Sequence, residues 1–260
     1  MRDVQSEKDF RNIPLEKVGV SKIRYPIRVL DKENGFQHTV SEIDLFVDLP
    51  KDYRGTHMSR FIEVLNKHRT NMSLNTLEEI LKDIKTSLNA QIAHINVRFP
   101  YFILKKSPVS QNESFMEYNC AFIASLEDKF DFTLEVKTPV HLLCPCSKEI
   151  SDYGAHNQRA IVTIRTKMNK IVWIEDIVSI AENAASAPLF ALLKREDEKY
   201  ITEKAYNTPK FVEDVVRDVA IALDSDTRVN YYEIEVLSFE SIHNHNAYAY
   251  YHKDKTLNNH

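Results

Sequence analysis

One order of elements runs twice along this chain, and a pattern repeated over the whole length leaves few folds open. Segments 21–31 ("SKIRYPIRVLD") and 36–49 ("FQHTVSEIDLFVDL") are rich in β-branched and aromatic residues and are joined by the turn-like "KENG", which reads as a strand pair. Two helices follow. Met58, Phe61, Ile62 and Leu65 recur at helical spacing, and then Leu77, Ile80, Leu81, Ile84 and Leu88 do, with Thr76 and Glu79 in place for a capping box. Strands return at 91–105 and 115–126. The second half repeats the scheme, with strands at 130–143 and 158–168, helices at 172–185 and 209–224, and strands at 228–240 and 246–252. The helix at 209–224 is the clearest: Thr208 stands as a cap before Pro209, and Val212, Val215, Val216, Val219 and Leu223 share one face.

Each half therefore reads ββααββ, and the expected class is α+β with antiparallel sheets and helices on one face. The division that follows is an N-terminal extension at 1–20, a first module at 21–127 and a second at 128–260. Helices cover only one face of such a sheet. The other is commonly closed by curling into a barrel with further copies, so a homo-oligomer is expected.

Composition narrows the partners. A chain of 260 residues, 43% hydrophobic and 28% charged, can bury a large core. No apolar run reaches the roughly 18 residues of a membrane span, and "MRDVQSEKDF" is charged where a signal peptide is apolar; the expected location is the cytoplasm, with no membrane partner. A net charge of -4 with interspersed signs offers no cationic face for a phosphate backbone, so nucleic acid is not expected. Glycine occurs only at 19, 35, 55 and 154, which excludes both the dinucleotide fingerprint and the P-loop. A bound nucleotide would have to be held by side chains and helix ends.

Chemistry concentrates in "HLLCPCSKEISDYGAHNQRA" at 141–160, where two of the three cysteines stand one residue apart near a histidine. Cys144 and Cys146 are too close in sequence for an easy mutual bridge, so the thiols read as reduced. Thiolate and imidazole suit a transition metal, and strand-end loops are where sites are built. The spacing is not that of a structural zinc knuckle, and a buried inert cysteine pair is the alternative on these residues alone.

"CPCSKEIS", "GAHNQRA", "GTHMSRF" at 55–61, "LLKREDEKYITEKAY" at 192–206, "PKFVEDVVRDV" at 209–219 and "FESIHNHNAYA" at 239–249 together resemble the type IB GTP cyclohydrolase I family over nearly the whole chain. The resemblance implies a tandem tunnelling fold, a homotetramer with active sites at subunit interfaces, and metal-dependent opening of the guanine imidazole ring of GTP. Formate and 7,8-dihydroneopterin triphosphate, the entry to folate, would be the products. The metal, zinc, manganese or iron(II), would take Cys144, His156 and, as its carboxylate, Glu198, leaving a position for water. Cys146 is either a thiol behind the site that becomes a ligand in one metal state or a packed small neighbour, and Cys120 reads as core.

For the remaining roles, His243 is the general acid/base candidate and Glu240 the residue that would orient it, while His245 and His252 read as bland turn and strand residues. Glu213, off the valine stripe, would pair its two oxygens with the guanine N1–H and 2-amino group. His57, Ser59, Arg60, Ser147, Lys148 and Arg159 are the candidates for the triphosphate. Two rival readings remain: a different tunnelling-fold enzyme, such as the archaeal relative that forms a cyclic phosphate, and a non-catalytic nucleotide-binding oligomer with a closed, four-ligand metal.

Overall fold

The computed structural model describes residues 5, 7–68 and 72–257, which form two compact units, Met1–Pro100 with Ala121–Leu134 and Tyr101–Cys120 with Glu135–His260. Within the expected extension 1–20, residues 1–4 and 6 lie outside the described residues. The chain is α+β, and the strand pairs described below are antiparallel.

In the first unit, β1 (Leu15–Asp31) begins six residues before the expected start, because its first stretch still finds partners on β2 (Gly35–Leu49), from Leu15 opposite Leu49 onward. The extension is anchored too: Asp9 N–H donates to the Asp52 carbonyl, and Arg54 N–H donates to that of Glu7. The β1–β2 turn falls on "KENG". The Asp31 carboxylate accepts from the Glu33 and Asn34 N–H groups at 3.0 and 2.7 Å, and Gly35 supplies φ 77°. β2 pairs next with β3 (Ala93–Lys106), on which Ala93, Ile95, Val97 and Phe99 alternate inward.

Two helices complete this unit, α1 (Met58–His68) against β1 and α2 (Leu74–Leu88) against β2 and α1. Their buried residues are Phe61, Val64 and Leu65, and Leu77, Ile80, Leu81 and Ile84. Met58 and Ile62, expected in the stripe, are exposed, and Val64 takes their place. The α2 cap is also displaced: Ser73 accepts from Thr76 N–H, so the helix starts before the Thr76/Glu79 pair and that capping box does not form at its end.

In the second unit β6 (Asn157–Met168), β8 (Val229–Ser238) and β9 (Ala247–Asp254) pair in that order, and β5 (Phe130–Leu143) pairs with the two-residue β7 (Ala187–Pro188). α6 (Val212–Ser225) lies on β8 and β9, with Val212, Val215, Val216, Val219 and Leu223 all buried as the spacing predicts. Each such side chain contributes about 1.5–3 kcal/mol relative to exposure. The start of α6 is not "TP": Thr208 closes the preceding helix, and Asp214 Oδ2 accepts from Phe211 N–H at 3.0 Å to cap α6. Cys120 on β4 (Glu113–Leu126) is buried, and burial pushes its thiol pKa up.

Three elements stand where the pattern foresees two helices: α4 (Ile174–Ala184), α5 (Arg195–Asn207) and α6, besides the short α3 (Pro145–Ile150). The charged run "KREDEK" at 194–199 supplies the N-cap and first turn of α5. Its Asp197 is fully buried and accepts from Val109 N–H, Ser110 N–H, Lys194 N–H and the Ser110 hydroxyl, at 2.8, 2.9, 2.8 and 2.5 Å. One carboxylate thus caps its own helix and holds the β3–β4 hairpin.

A Cβ on Gly19, where β1 and β2 run close, would meet the Leu45 carbonyl oxygen at 2.0 Å, so Gly19→Ala should cost about 1–3 kcal/mol in chemical unfolding. At Asp197, burial alone would raise the pKa, but the donors from Ser110, Lys194 and Val109 outweigh it and hold the carboxyl well below the usual range. Its contribution is therefore present above the unfolded value of about 4 and is lost as pH falls below it. Asp197→Asn should flatten the acid limb of stability against pH, measured as denaturant midpoints across that window.

Candidate functional site

β5 ends at Leu143, and its last backbone groups are all engaged. Leu143 N–H donates to Ser186 Oγ, and the Leu143 carbonyl accepts from Lys210 N–H just ahead of α6, each at 3.1 Å. Cys144 N–H then donates to the His156 carbonyl at 3.1 Å, closing the 144–156 loop. Inside it the Ser147 hydroxyl donates to the Cys144 carbonyl at 3.3 Å and accepts from His156 N–H at 3.1 Å.

This closure sets Cys144 and His156 on one cavity of about 300 Å³, lined also by Gln158, Phe211, Glu213, Ser238, Glu240, His243, His245 and Tyr248. Of the expected residues, Cys144, His156, Glu213, Glu240 and His243 are therefore brought together by four separate stretches of chain. The His156 and His243 rings meet edge to face, with centroids 6.2 Å apart, and His243 stacks on His245 at 5.0 Å. His245, read as bland, lines the same cavity.

Glu240, expected to orient His243, makes its hydrogen bonds elsewhere. Its Oε1 accepts from the Ser238 hydroxyl at 2.8 Å and from Gln158 Nε2 at 3.2 Å, and its Oε2 lies 3.9 Å from His156 Nδ1. The hydrogen bonds it makes run to Gln158 and Ser238, on the β6 side of the cavity next to His156. Gln158 was missed in the sequence. Its signal was the strand alternation: two residues beyond His156, it shares that histidine's face, while Arg159 projects to the other face and is exposed.

Other expected residues lie elsewhere. Glu198 is exposed on α5 and Cys146 is exposed on α3, and neither lines the cavity. Ser147 spends its hydroxyl on the loop. Lys148 Nζ donates to the Tyr206 carbonyl at 2.6 Å and sits over that ring at 4.3 Å. His57 and Arg60 line a separate cavity of about 170 Å³ in the first unit, where Arg60 donates to the Ser87 carbonyl at 2.7 Å; Ser59 beside them is exposed.

Among the described residues, no group of three or more His, Cys, Asp or Glu converges as a metal-holding set. Two donors do suit one. Cys144 is a free thiol, and the His156 Nδ1 contact with Gln158 Oε1 at 2.9 Å leaves the other ring nitrogen available for coordination. No helix among the described residues is long and apolar enough to cross a membrane.

By architecture the chain is similar to urate oxidases. It matches the uricase of Bacillus fastidious with TM-score 0.59 at 7% identity, over 93% of this chain and 94% of that one. The Bacillus sp. TB-90 urate oxidase matches with TM-score 0.57 at 7% identity, over 93% and 100%. That places it in the tunnelling fold. Sequence is more particular: the family model for type I GTP cyclohydrolase folE2 matches residues 1–249, and the chain belongs to that family. Proteins named GTP cyclohydrolase FolE2 are similar throughout. The one from Kosmotoga olearia is 56% identical, covering 99% of this chain and 100% of its own length. That from Thermosipho africanus is 55% identical, covering 96% of each, and that from Geotalea uraniireducens 53%, covering 98% and 94%.

The loop closure carries its own prediction. Ser147→Ala removes both hydrogen bonds that the Ser147 hydroxyl makes inside the 144–156 loop, leaving only the Cys144–His156 backbone bond across its ends, and should raise backbone exchange there, seen as faster amide deuteration at Cys144 and His156, while β6 and β8 stay protected.

Proposed function

We propose that this chain is a GTP cyclohydrolase, opening the guanine imidazole ring of GTP by hydrolysis, releasing formate and giving 7,8-dihydroneopterin triphosphate, the first step of folate biosynthesis. The observation that carries this is the convergence of Cys144, His156, Glu213, Glu240 and His243 on one cavity, in a chain of this family. Two tandem tunnelling modules, at 21–127 and 128–260, a homotetramer with sites at subunit interfaces and a cytoplasmic location belong to the same reading.

Glu213 stands in the first turn of α6, exposed and facing the cavity, while its neighbours Val212, Val215 and Val216 are buried. Its two oxygens accept side by side, matching the adjacent N1–H and 2-amino donors of guanine. Phe211 and Tyr248 give the cavity apolar walls for a flat heterocycle.

His243, exposed in the turn after β8 and stacked on His245, takes and returns the proton at the purine ring nitrogen that becomes an amine. His156, oriented through Gln158 and Glu240, and Cys144 are the residues that would hold a divalent metal in this cavity; Glu198 and Cys146, which do not line it, are the further donors this reading calls for. Such a metal would supply the Lewis acidity that makes water nucleophilic near neutral pH. Sulfur, nitrogen and oxygen donors suit zinc, iron(II) and manganese. The triphosphate falls to exposed cations and hydroxyls: Arg159, and His57, Ser59 and Arg60 at the start of α1 offered by a neighbouring copy. Ser147 and Lys148, with partners of their own, serve that role less directly.

Incubation of metal-reconstituted protein with GTP should release one formate per GTP and yield, after oxidation, a fluorescent pterin triphosphate. GTP recovered unchanged would mean a binding protein, and a cyclic phosphate product would mean the other enzyme class. Cys144→Ala should abolish turnover and lower metal content with the fold intact. Glu213→Gln should weaken GTP binding by about 1.5–3 kcal/mol, tenfold or more, with metal content unchanged; normal affinity would leave Glu213 a surface acid.

A further inference from the structure

The side-chain chain behind His156 is polar throughout and converges on the Glu240 carboxylate. Ser238, buried at 1% exposure, donates its hydroxyl to Glu240 Oε1 at 2.8 Å. Gln158 Nε2 donates to the same oxygen at 3.2 Å. A carboxylate oxygen can only accept, so the amide N–H₂ end of Gln158 must face Glu240 and the amide oxygen must face His156. The reversed amide would set two oxygens against each other at the Glu240 end and an N–H against the imidazole at the other. Ser241, whose hydroxyl approaches Gln158 Oε1 at 3.5 Å, adds a donor to that same oxygen.

An amide oxygen has no hydrogen to give, so the 2.9 Å contact between Gln158 Oε1 and His156 Nδ1 exists only if Nδ1 carries the proton. In the neutral ring that leaves the lone pair on Nε2. The two tautomers are close in energy in water, and one good hydrogen bond is enough to select between them.

From this geometry we propose that Gln158 is a positioning residue: held by Glu240 and Ser238, it fixes the Nδ1–H tautomer of His156 and so presents Nε2 as the donor to a divalent metal. The inference rests on reading His156 as a metal ligand, but the tautomer itself does not. Gln158 touches neither substrate nor the reacting atoms in this role, and its effect passes entirely through the imidazole.

The test uses the full chain. Long-range proton–nitrogen correlation spectra of the metal-free protein, with ¹⁵N-histidine and His156 assigned by its loss in His156→Gln, report which ring nitrogen is protonated. Zinc affinity is measured separately, by competition with a chromophoric chelator. The parent should show Nδ1–H. Gln158→Met, which keeps length and removes the acceptor, should lose that preference and weaken zinc binding about tenfold to a hundredfold. The double variant Gln158→Glu with Glu240→Gln rebuilds an acceptor toward Nδ1 and a donor toward it from position 240, and should restore the Nδ1–H signature, which a merely space-filling role for Gln158 would not produce. Gln158→Met with parental tautomer and parental zinc affinity would overturn the proposal. A parent that binds no zinc yet shows a Gln158-dependent Nδ1–H would support the assignment of Gln158 while removing the metal from the reading of the site.

Discussion

At the end of β5 the peptide groups of Leu143 and Cys144 bind to three other segments: the Ser186 hydroxyl before β7, the Lys210 N–H ahead of α6, and the His156 carbonyl at the start of β6. Backbone groups in a protein interior cannot be left unpaired, at roughly 1–3 kcal/mol each, so the three segments are drawn to one point by the same requirement. The cavity follows from that. Cys144 is placed by the first peptide beyond the strand, His156 by the loop that returns to it, and Glu213 by the helix whose lead-in is tied to Leu143. A site assembled from distant stretches is held here by the backbone and only tuned by side chains.

The tuning runs through β6 and β8. Glu240 and Ser238 stand at the end of one strand and Gln158 at the start of its neighbour, where Ala160 faces Ser238 in the ladder. Antiparallel register therefore decides which carboxylate can reach Gln158. Shifting the pair by a single residue would turn Gln158 to the other face and leave Glu240 without its amide.

Much of this was legible in the residues. The valine stripe of α6 and the strands on either side of "KENG" follow from spacing, because periodicity is local, and the gathering of Cys144, His156, Glu213, Glu240 and His243 on one cavity was legible only through the family resemblance of the motifs that carry them. What escaped depends on partners far away in the chain. Asp197 looks solvated among Arg195, Glu196 and Lys199; only the hairpin at 107–112, nearly ninety positions earlier, makes it a buried cap. The cap of α6 was misplaced by its preceding "TP", which belongs to the end of α5, and Ser147 and Lys148 looked free because Cys144, His156 and Tyr206, which occupy them, are not adjacent in sequence.

Asp197 and Glu198 are consecutive on α5, and side chains one residue apart on a helix point about a quarter-turn or more away from each other. Three hydrogen bonds from Val109 and Ser110 to Asp197 index the rotation of α5 about its axis. The bearing of Glu198 is thus dictated by Ser110 and Val109, residues of a turn without chemistry of its own. That hairpin acts as a detent on the helix: to aim Glu198 anywhere else, α5 must first give up its buried carboxylate, so the carboxylate's heading is inherited rather than adjustable.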